Sequence, residues 1–358
     1  MKTGILFGTL LILTAVMFFG CSDEMSATAP EAGSDEVLVE PVKRYTSGDV
    51  IFDAFQDSRG DLWFCTSNEG VFKYDGESFT QYTTENGLCS NDISQVVEDA
   101  QGQLWFATDK GICGFDESFS VLIPLPQQEI NTKWLRDCYP VVNPNGVSSL
   151  FVDSTGVFWI GSNGAGAYRY DGESFESYLT EQCALMPDSL HHNVVSDIIQ
   201  DHEGNIWFTS FSHGGVSRYD GSTFTHYDTT DGLGDDMIAS AYVQRDGRIW
   251  FGTQDGGMSY VDGEGFQTVY RPEGECHNNM ATLFEDSKGR LWMASYARSG
   301  VCWYENGEFT SLEIKNSDKL VDIKCIGEDR NGNIWFGGRY GILWRYDGSE
   351  LKDFTQKG

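Results

Sequence analysis

Positive charge is what this sequence is shortest of. Its 358 residues carry 24 Lys and Arg against 54 Asp and Glu, a net charge of −30 and a pI near 4.3. Such a chain repels phosphate backbones and anionic lipid surfaces, so nucleic acid is excluded as a partner on electrostatic grounds. The acidity reads as a solvated surface. Histidine is scarce, at six. His191 and His192 are adjacent, His202, His213 and His277 are scattered, and no spacing matches a metal-ligand motif, so no metal and no cofactor are expected. There is no Cys-x-x-Cys for thiol redox chemistry and no nucleophile-elbow motif for a serine hydrolase. The one long apolar run, Ile5 to Phe19, is too short and wrongly flanked for a stable spanning helix.

What the chain has in abundance is tryptophan, glycine and repetition. Asp201-His202-Glu203-Gly204-Asn205-Ile206-Trp207-Phe208-Thr209 is rewritten as Asp57 to Thr66, Asp99 to Thr108, Asp153 to Ser162, Asp246 to Thr253, Asp286 to Ser295 and Asp329 to Gly338. The central Trp falls at positions 63, 105, 159, 207, 250, 292 and 335, a period near 43 residues. About 40–45 residues suits a four-stranded propeller blade. The expected fold is therefore all-β, a seven-bladed β-propeller of four-stranded antiparallel blades.

Each copy parses into four strands. A β-rich run such as Ile93 to Glu98 precedes an Asp-x-x-Gly turn, in which Asp accepts backbone hydrogen bonds and Gly takes positive φ. The Trp-Phe strand follows, apolar at adjacent positions and so covered on both faces. A third strand ends in an aromatic, and an Asp-Gly turn leads to the fourth. One carboxylate per Asp-x-x-Gly turn is too few for calcium. Leu351 to Thr355 and Lys43 to Thr46 both read as fourth strands, which leaves open whether the N-terminal piece closes the ring or pads an edge. The expected organisation is an export signal over residues 1–20, a flexible acidic tether over 21–42 and the propeller over 43–358.

Gly20-Cys21 at the end of the apolar run resembles a bacterial lipoprotein signal, although Phe18 and Phe19 stand where Leu and a small residue are usual. That resemblance implies acylation of Cys21, attachment to a membrane through lipid only, and an outer-membrane or cell-surface location. The repeat itself, Asp-x-x-Gly-x-(Leu/Ile)-Trp-Phe-x-Thr followed by Gly-(Val/Ile)-x-x-Tyr-Asp-Gly-x-x-Phe, resembles the two-component regulator propeller repeats. In that family such propellers form extracytoplasmic sensors of histidine kinases. The sequence holds one propeller and neither an immunoglobulin-like domain nor a kinase, so the resemblance implies fold and ligand recognition and does not carry signalling. Gly204 to Thr209 is also similar, more loosely, to repeats of streptogramin lyases, which use His with a divalent metal. Ser210 stands where those enzymes have Glu, and no catalytic residue carries over.

Sites in such a ring are expected on loops of the face where one blade's outer strand leads to the next blade's inner strand. Two of these connections are enlarged, residues 124–146 and 179–193. Candidate ligand-binding residues are Trp134, Arg136 and Tyr139 in the first, His191 and His192 in the second, and His213, Asp235, His277, Asn278, Tyr296, Arg298, Arg339 and Tyr340 on neighbouring loops. Aromatics mixed with planar hydrogen-bonding groups suit a glycan or a peptide. Eight Cys besides Cys21 permit disulfides in an exported protein. Cys138 and Cys183, one in each long loop, are the expected pair, while Cys113 and Cys302 read as small apolar packing at equivalent positions. The leading reading is a monomeric, non-enzymatic, lipid-anchored recognition module for a glycan, peptide or envelope protein. The alternatives are a metal-assisted propeller lyase or hydrolase and an envelope-complex scaffold.

Overall fold

The computed structural model describes residues 38–39, 49–115, 120–127, 146–180, 192–262, 265–269, 280–295, 300–317 and 320–355. They form seven sheets in which neighbouring strands are consecutive in the chain, except that β1 pairs with β5. After β1 (Leu38–Val39), blade one is β2 (Ile51–Gln56), β3 (Leu62–Thr66), β4 (Val71–Tyr74) and β5 (Phe79–Tyr82). Blade two is β6 (Ile93–Glu98), β7 (Leu104–Thr108), β8 (Gly111–Phe115) and β9 (Ser120–Ile123), and blade three is β10 (Val147–Val152), β11 (Phe158–Ser162), β12 (Ala167–Tyr170) and β13 (Phe175–Tyr178). Blade four is β14 (Val195–Gln200), β15 (Ile206–Ser210), β16 (Val216–Tyr219) and β17 (Phe224–Tyr227), and blade five is β18 (Ile238–Val243), β19 (Ile249–Thr253), β20 (Met258–Val261) and β21 (Phe266–Val269). Blade six is β22 (Met280–Glu285), β23 (Leu291–Ser295), β24 (Val301–Glu305) and β25 (Glu308–Ser311). Blade seven is β26 (Ile323–Glu328), β27 (Ile334–Gly338), β28 (Leu343–Tyr346) and β29 (Leu351–Asp353).

The double apolar pattern of the second strands explains why the sheets stand in a ring. Each Trp packs into the next blade while the residue after it packs into the blade before, so every junction holds its own apolar core. Trp63 lies 6.0 Å from Phe106, Trp159 5.7 Å from Phe208, Trp207 5.9 Å from Phe251 and Trp292 5.8 Å from Phe336, measured between ring centroids. Trp335 of blade seven packs at 5.5 Å on Phe64 of blade one, within a core that also holds Phe72, Tyr74 and Phe79. The circle is closed, and each blade's second strand is covered by its neighbours.

Each turn Asp is a structural clamp. Asp57 accepts the Arg59 and Asp61 N–H groups through Oδ1 and the Trp63 indole N–H through Oδ2. The same indole bond recurs at 2.7–2.9 Å from Trp105, Trp159, Trp207, Trp292 and Trp335 to the Asp six residues earlier. Blade five departs from the expected start at Asp246. Its turn opens at Gln244, whose Oε1 accepts the Trp250 indole N–H at 2.8 Å and whose carbonyl accepts the Gly247 N–H. An amide oxygen serves the clamp as well as a carboxylate does.

Two further expectations change. Blade seven is completed by its own β29, while Leu38 pairs with Thr80 and Val39 with Phe79, so β1 pads the outer edge of blade one as a fifth strand. That strand falls inside the stretch expected to be tether, and the compact unit begins at Val37. Lys43 to Thr46 lies outside the described residues. Second, Cys113 is not simply apolar packing: it is bonded to Cys89, with Cα atoms 6.1 Å apart. Cys302 is disulfide-bonded as well. The expected pair Cys138 and Cys183 lies outside the described residues, whereas Cys65 and Cys325 are buried free thiols.

Candidate functional site

The inner strands surround a central channel of about 770 Å3. Each has a bulge between its first and third residues, and in several blades a polar side chain in or just beyond it ties one blade to the next at the channel wall. Asp53 accepts the Ala54 N–H and, from blade two, the Val96 N–H. Asp197 does the same with Ile198 and with Ala241 of blade five, and Gln95 accepts from Leu150 of blade three. Ser148 and Ser196 donate to the carbonyls of Val195 and Ile238 at 2.6 and 2.7 Å. Sequence reasoning missed these residues. The available signal was a carboxylate or amide at the third position of an otherwise apolar first strand.

Burial pushes Asp53 up to about 6 against the pull of its two N–H donors. Burial also pushes Asp197 up to about 6, opposed by its backbone bonds and helped by the charge of Asp53. Lys324, at the same end of β26, is brought down to about 7 by burial and by Arg339. The signs oppose each other. Asp53 and Asp197 contribute stability that is complete below the unfolded value of 3.8 and lost as pH rises through about 6. Lys324 contributes stability present above its unfolded 10.5 and lost as pH falls through about 7. The channel therefore favours the fold least between pH 6 and 7. Thermal midpoints should rise from pH 7.5 to 9.5 in the unaltered protein, and Lys324→Met should abolish most of that rise. An unchanged alkaline slope in the variant would contradict the assignment.

The upper end of the ring, where outer strands lead to inner ones and second strands to third, carries the described candidates. His213 sits in the β15–β16 loop and Tyr340 in the β27–β28 loop, both exposed and both in left-handed backbone, with φ of 55° and 61°. Tyr340 is 56% exposed. Holding bulky residues there costs on the order of 1–3 kcal/mol each. Arg339 precedes Tyr340, and its main chain bonds to Asp322. Asp235 is a latch: it accepts the Met237 and Asp255 N–H groups and so ties the β17–β18 connection to the β19–β20 loop.

His192 stacks on His226 at 4.1 Å, and the Ser217 hydroxyl lies 2.8 Å from Nδ1 of His226 and 3.3 Å from that of His192. His226 and Ser217 were not anticipated; they stand on adjacent strands, β17 and β16, and only the register brings them together. Trp134, Arg136, Tyr139, His191, His277, Asn278, Tyr296, Arg298 and Cys21 lie outside the described residues. Among the described residues no group of three metal-ligating side chains converges, and no helix is long and apolar enough to cross a membrane.

The model of the two component regulator propeller matches residues 87–110, 189–212 and 319–340, so the chain carries these repeats. A curated relative, histidine kinase P4 of Formosa agariphila, is 24% identical over 180 residues, which are 48% of this chain and 12% of that protein. The extracellular domain of the putative hybrid two component system BT3049 from B. thetaiotaomicron superposes with a TM-score of 0.64 at 21% identity, over 85% of this chain and 39% of that one. Virginiamycin B lyase from Staphylococcus aureus, solved as an inactive variant with quinupristin, gives 0.65 at 13% identity, over 86% and 97%. PorZ, a surface component of the type-IX secretion system of Porphyromonas gingivalis, gives 0.60 at 18%, over 83% and 46%. The chain thus spans a small part of the kinase and under half of the extracellular domain. At these identities the solved structures share the fold.

Proposed function

We propose that this carrier of two component regulator propeller repeats is an extracytoplasmic recognition module, binding a glycan or a peptide at the upper end of the ring. The observation that carries the reading is the pair of exposed side chains in left-handed backbone, His213 and Tyr340, on upper loops of a closed scaffold. Strain of that kind persists where the surroundings enforce it, and a binding surface is a reason to keep it. An exposed phenol on the residue that follows the exposed Arg339 suits a sugar face or a peptide backbone. The Cys89–Cys113 disulfide supports an oxidising compartment and hence export. Attachment through lipid on Cys21 belongs to the same reading.

A thermal-shift screen with oligosaccharides and peptides, followed by calorimetry on the hits, tests this. Tyr340→Gly keeps the left-handed backbone and removes the ring. It should weaken a hit about tenfold or more while leaving the thermal midpoint in place. Unchanged affinity in Tyr340→Gly and His213→Gly would overturn the site, and turnover of a bound compound would overturn the non-enzymatic reading. A lyase or hydrolase has one observation in its favour, the Ser217 hydroxyl against His226 with His192 stacked behind. His226→Ala would then abolish that turnover.

A further inference from the structure

Large apolar side chains are seldom exposed among the described residues, and three of the five that are belong to segments that meet where blade seven joins blade one. Phe52, Val321 and Tyr340 are 38%, 36% and 56% exposed, while the other two, Val121 and Leu122, lie on β9. Backbone bonds hold the three segments side by side. Arg339 bridges to Val50 and donates its N–H to the Asp322 carbonyl, next to the pairing of Ile323 with Gly338. Phe52 and Lys324, each the second residue of its inner strand, line the central channel from adjacent blades. Arg339 is exposed, and its guanidinium makes no hydrogen bond or ion pair among the described residues. The upper mouth of the channel thus carries two cations beside an apolar patch, in a chain whose net charge is −30.

We propose that this mouth binds a ligand ending in a carboxylate carried on an apolar group, the carboxylate between Lys324 and Arg339 and the apolar group on Phe52. The inference rests on the reading of the upper end as a recognition surface, and it narrows what that surface takes. The charge requirement follows from the cations. Burial and the charge of Arg339 bring Lys324 down to about 7, so the two act on each other. An anion set between them eases that repulsion and favours the Lys324 proton. A carboxylate also matches the fork of a guanidinium. The same segments hold three carboxylates of their own. Asp49 accepts the Asn68 amide and Asp53 the Ala54 and Val96 N–H groups, while Asp322 is half-buried. The apolar requirement follows from Phe52, whose ring leaves water when it is covered. The channel sets the size: about 770 Å3 is within the range of small-molecule sites, and a closed ring of strands admits a chain end or a small molecule, not the middle of a chain.

Calorimetry with 3-phenylpropionate on the full chain at low salt tests the proposal, with 3-phenylpropylamine, 3-phenylpropanamide and propionate as comparators. Saturable binding of 3-phenylpropionate is expected, weakened about tenfold or more by reversing or removing its charge and by removing its ring. N-acetylphenylalanine distinguishes the sources of the carboxylate: tighter binding than 3-phenylpropionate supports a peptide terminus, and weaker binding supports a free organic acid. Arg339→Gln and Lys324→Met should each weaken the acid about tenfold and leave the amide unchanged. Neither threatens the fold, since Arg339 is exposed and Lys324→Met removes a buried charge. Lys288→Gln, at an exposed cation in a turn of the opposite end, should change nothing. No binding of either acid at millimolar concentration, equal binding of the amine or the amide, or unchanged binding in both cation variants would each overturn the assignment. If screen hits lose affinity in Tyr340→Gly but not in Arg339→Gln or Lys324→Met, this inference falls and the wider reading stands. If none of the three variants matters, both fall.

Discussion

Trp335→Ala is expected to cost about 3–5 kcal/mol, the range for truncating a buried Trp, which is a large share of the stability of a typical domain. The side chain is fully buried and lies between the last blade and the first. It contacts Tyr74 and Phe354 at 4.9 and 4.8 Å and Phe64 and Phe79 at 5.5 and 6.0 Å. Removing it also strips Asp329 of its indole donor in a buried position. Beside the apolar core that Ile51, Leu62 and Phe72 share with Cys325 and Leu343, the polar ties across this junction include the Val50–Arg339 bridge, Arg330 to Asp61 and to the Gly60 carbonyl, and the Cys325 thiol to the Ile51 carbonyl. Trp207→Ala is the comparison, because the ring contacts of Trp207 are fewer, with Tyr227 and Phe251. Denaturant unfolding should place Trp335→Ala well below Trp207→Ala. Equal losses would mean that the closing junction bears no more than any other.

The fold was legible because its main constraint is written at adjacent positions. Trp207-Phe208 cannot bury both rings on one side of a strand, so each copy demands a partner sheet on either face, and seven copies demand a circle. What resisted reading depended on register. Asp246 stands two residues too late to clamp Trp250, and only the hydrogen bonds show that Gln244 has the task. Ser217 and His226 are nine residues apart and meet because β16 and β17 pair there. Asp53 and Lys324 face the channel from blades one and seven, which nothing local to either announces. Of the candidate rim residues, Asp235 is a latch between loops.

Reducing or removing the Cys89–Cys113 bond should lower stability by about 3 kcal/mol on the chain-entropy account of a closed loop of this length. The bond spans 24 residues and ties the connection that enters blade two to that blade's third strand. Both flanks are in the core between blades one and two, where Leu88 and Cys113 are buried beside Trp63. The connection is also held by the short turn Thr84–Asn86, capped by Thr83, by the Thr84 N–H on Asn91, by Ser90 donating to Asp109 and by the buried Leu88. Losing the bond lets it open without dismantling a sheet. Cys89→Ser with Cys113→Ser should therefore unfold at lower denaturant than the oxidised parent and match the parent after reduction of all its disulfides, apart from the contribution of Cys302. Among the described residues the free thiols do not confuse the measurement: Cys65 and Cys325 are buried, and burial first, then the charge of Asp53, raises their pKa well above the ordinary range, so they stay unreactive while the protein is folded. If the double variant and the oxidised parent unfold at the same midpoint, the bond is a passive consequence of proximity and the entry to blade two is held by packing alone.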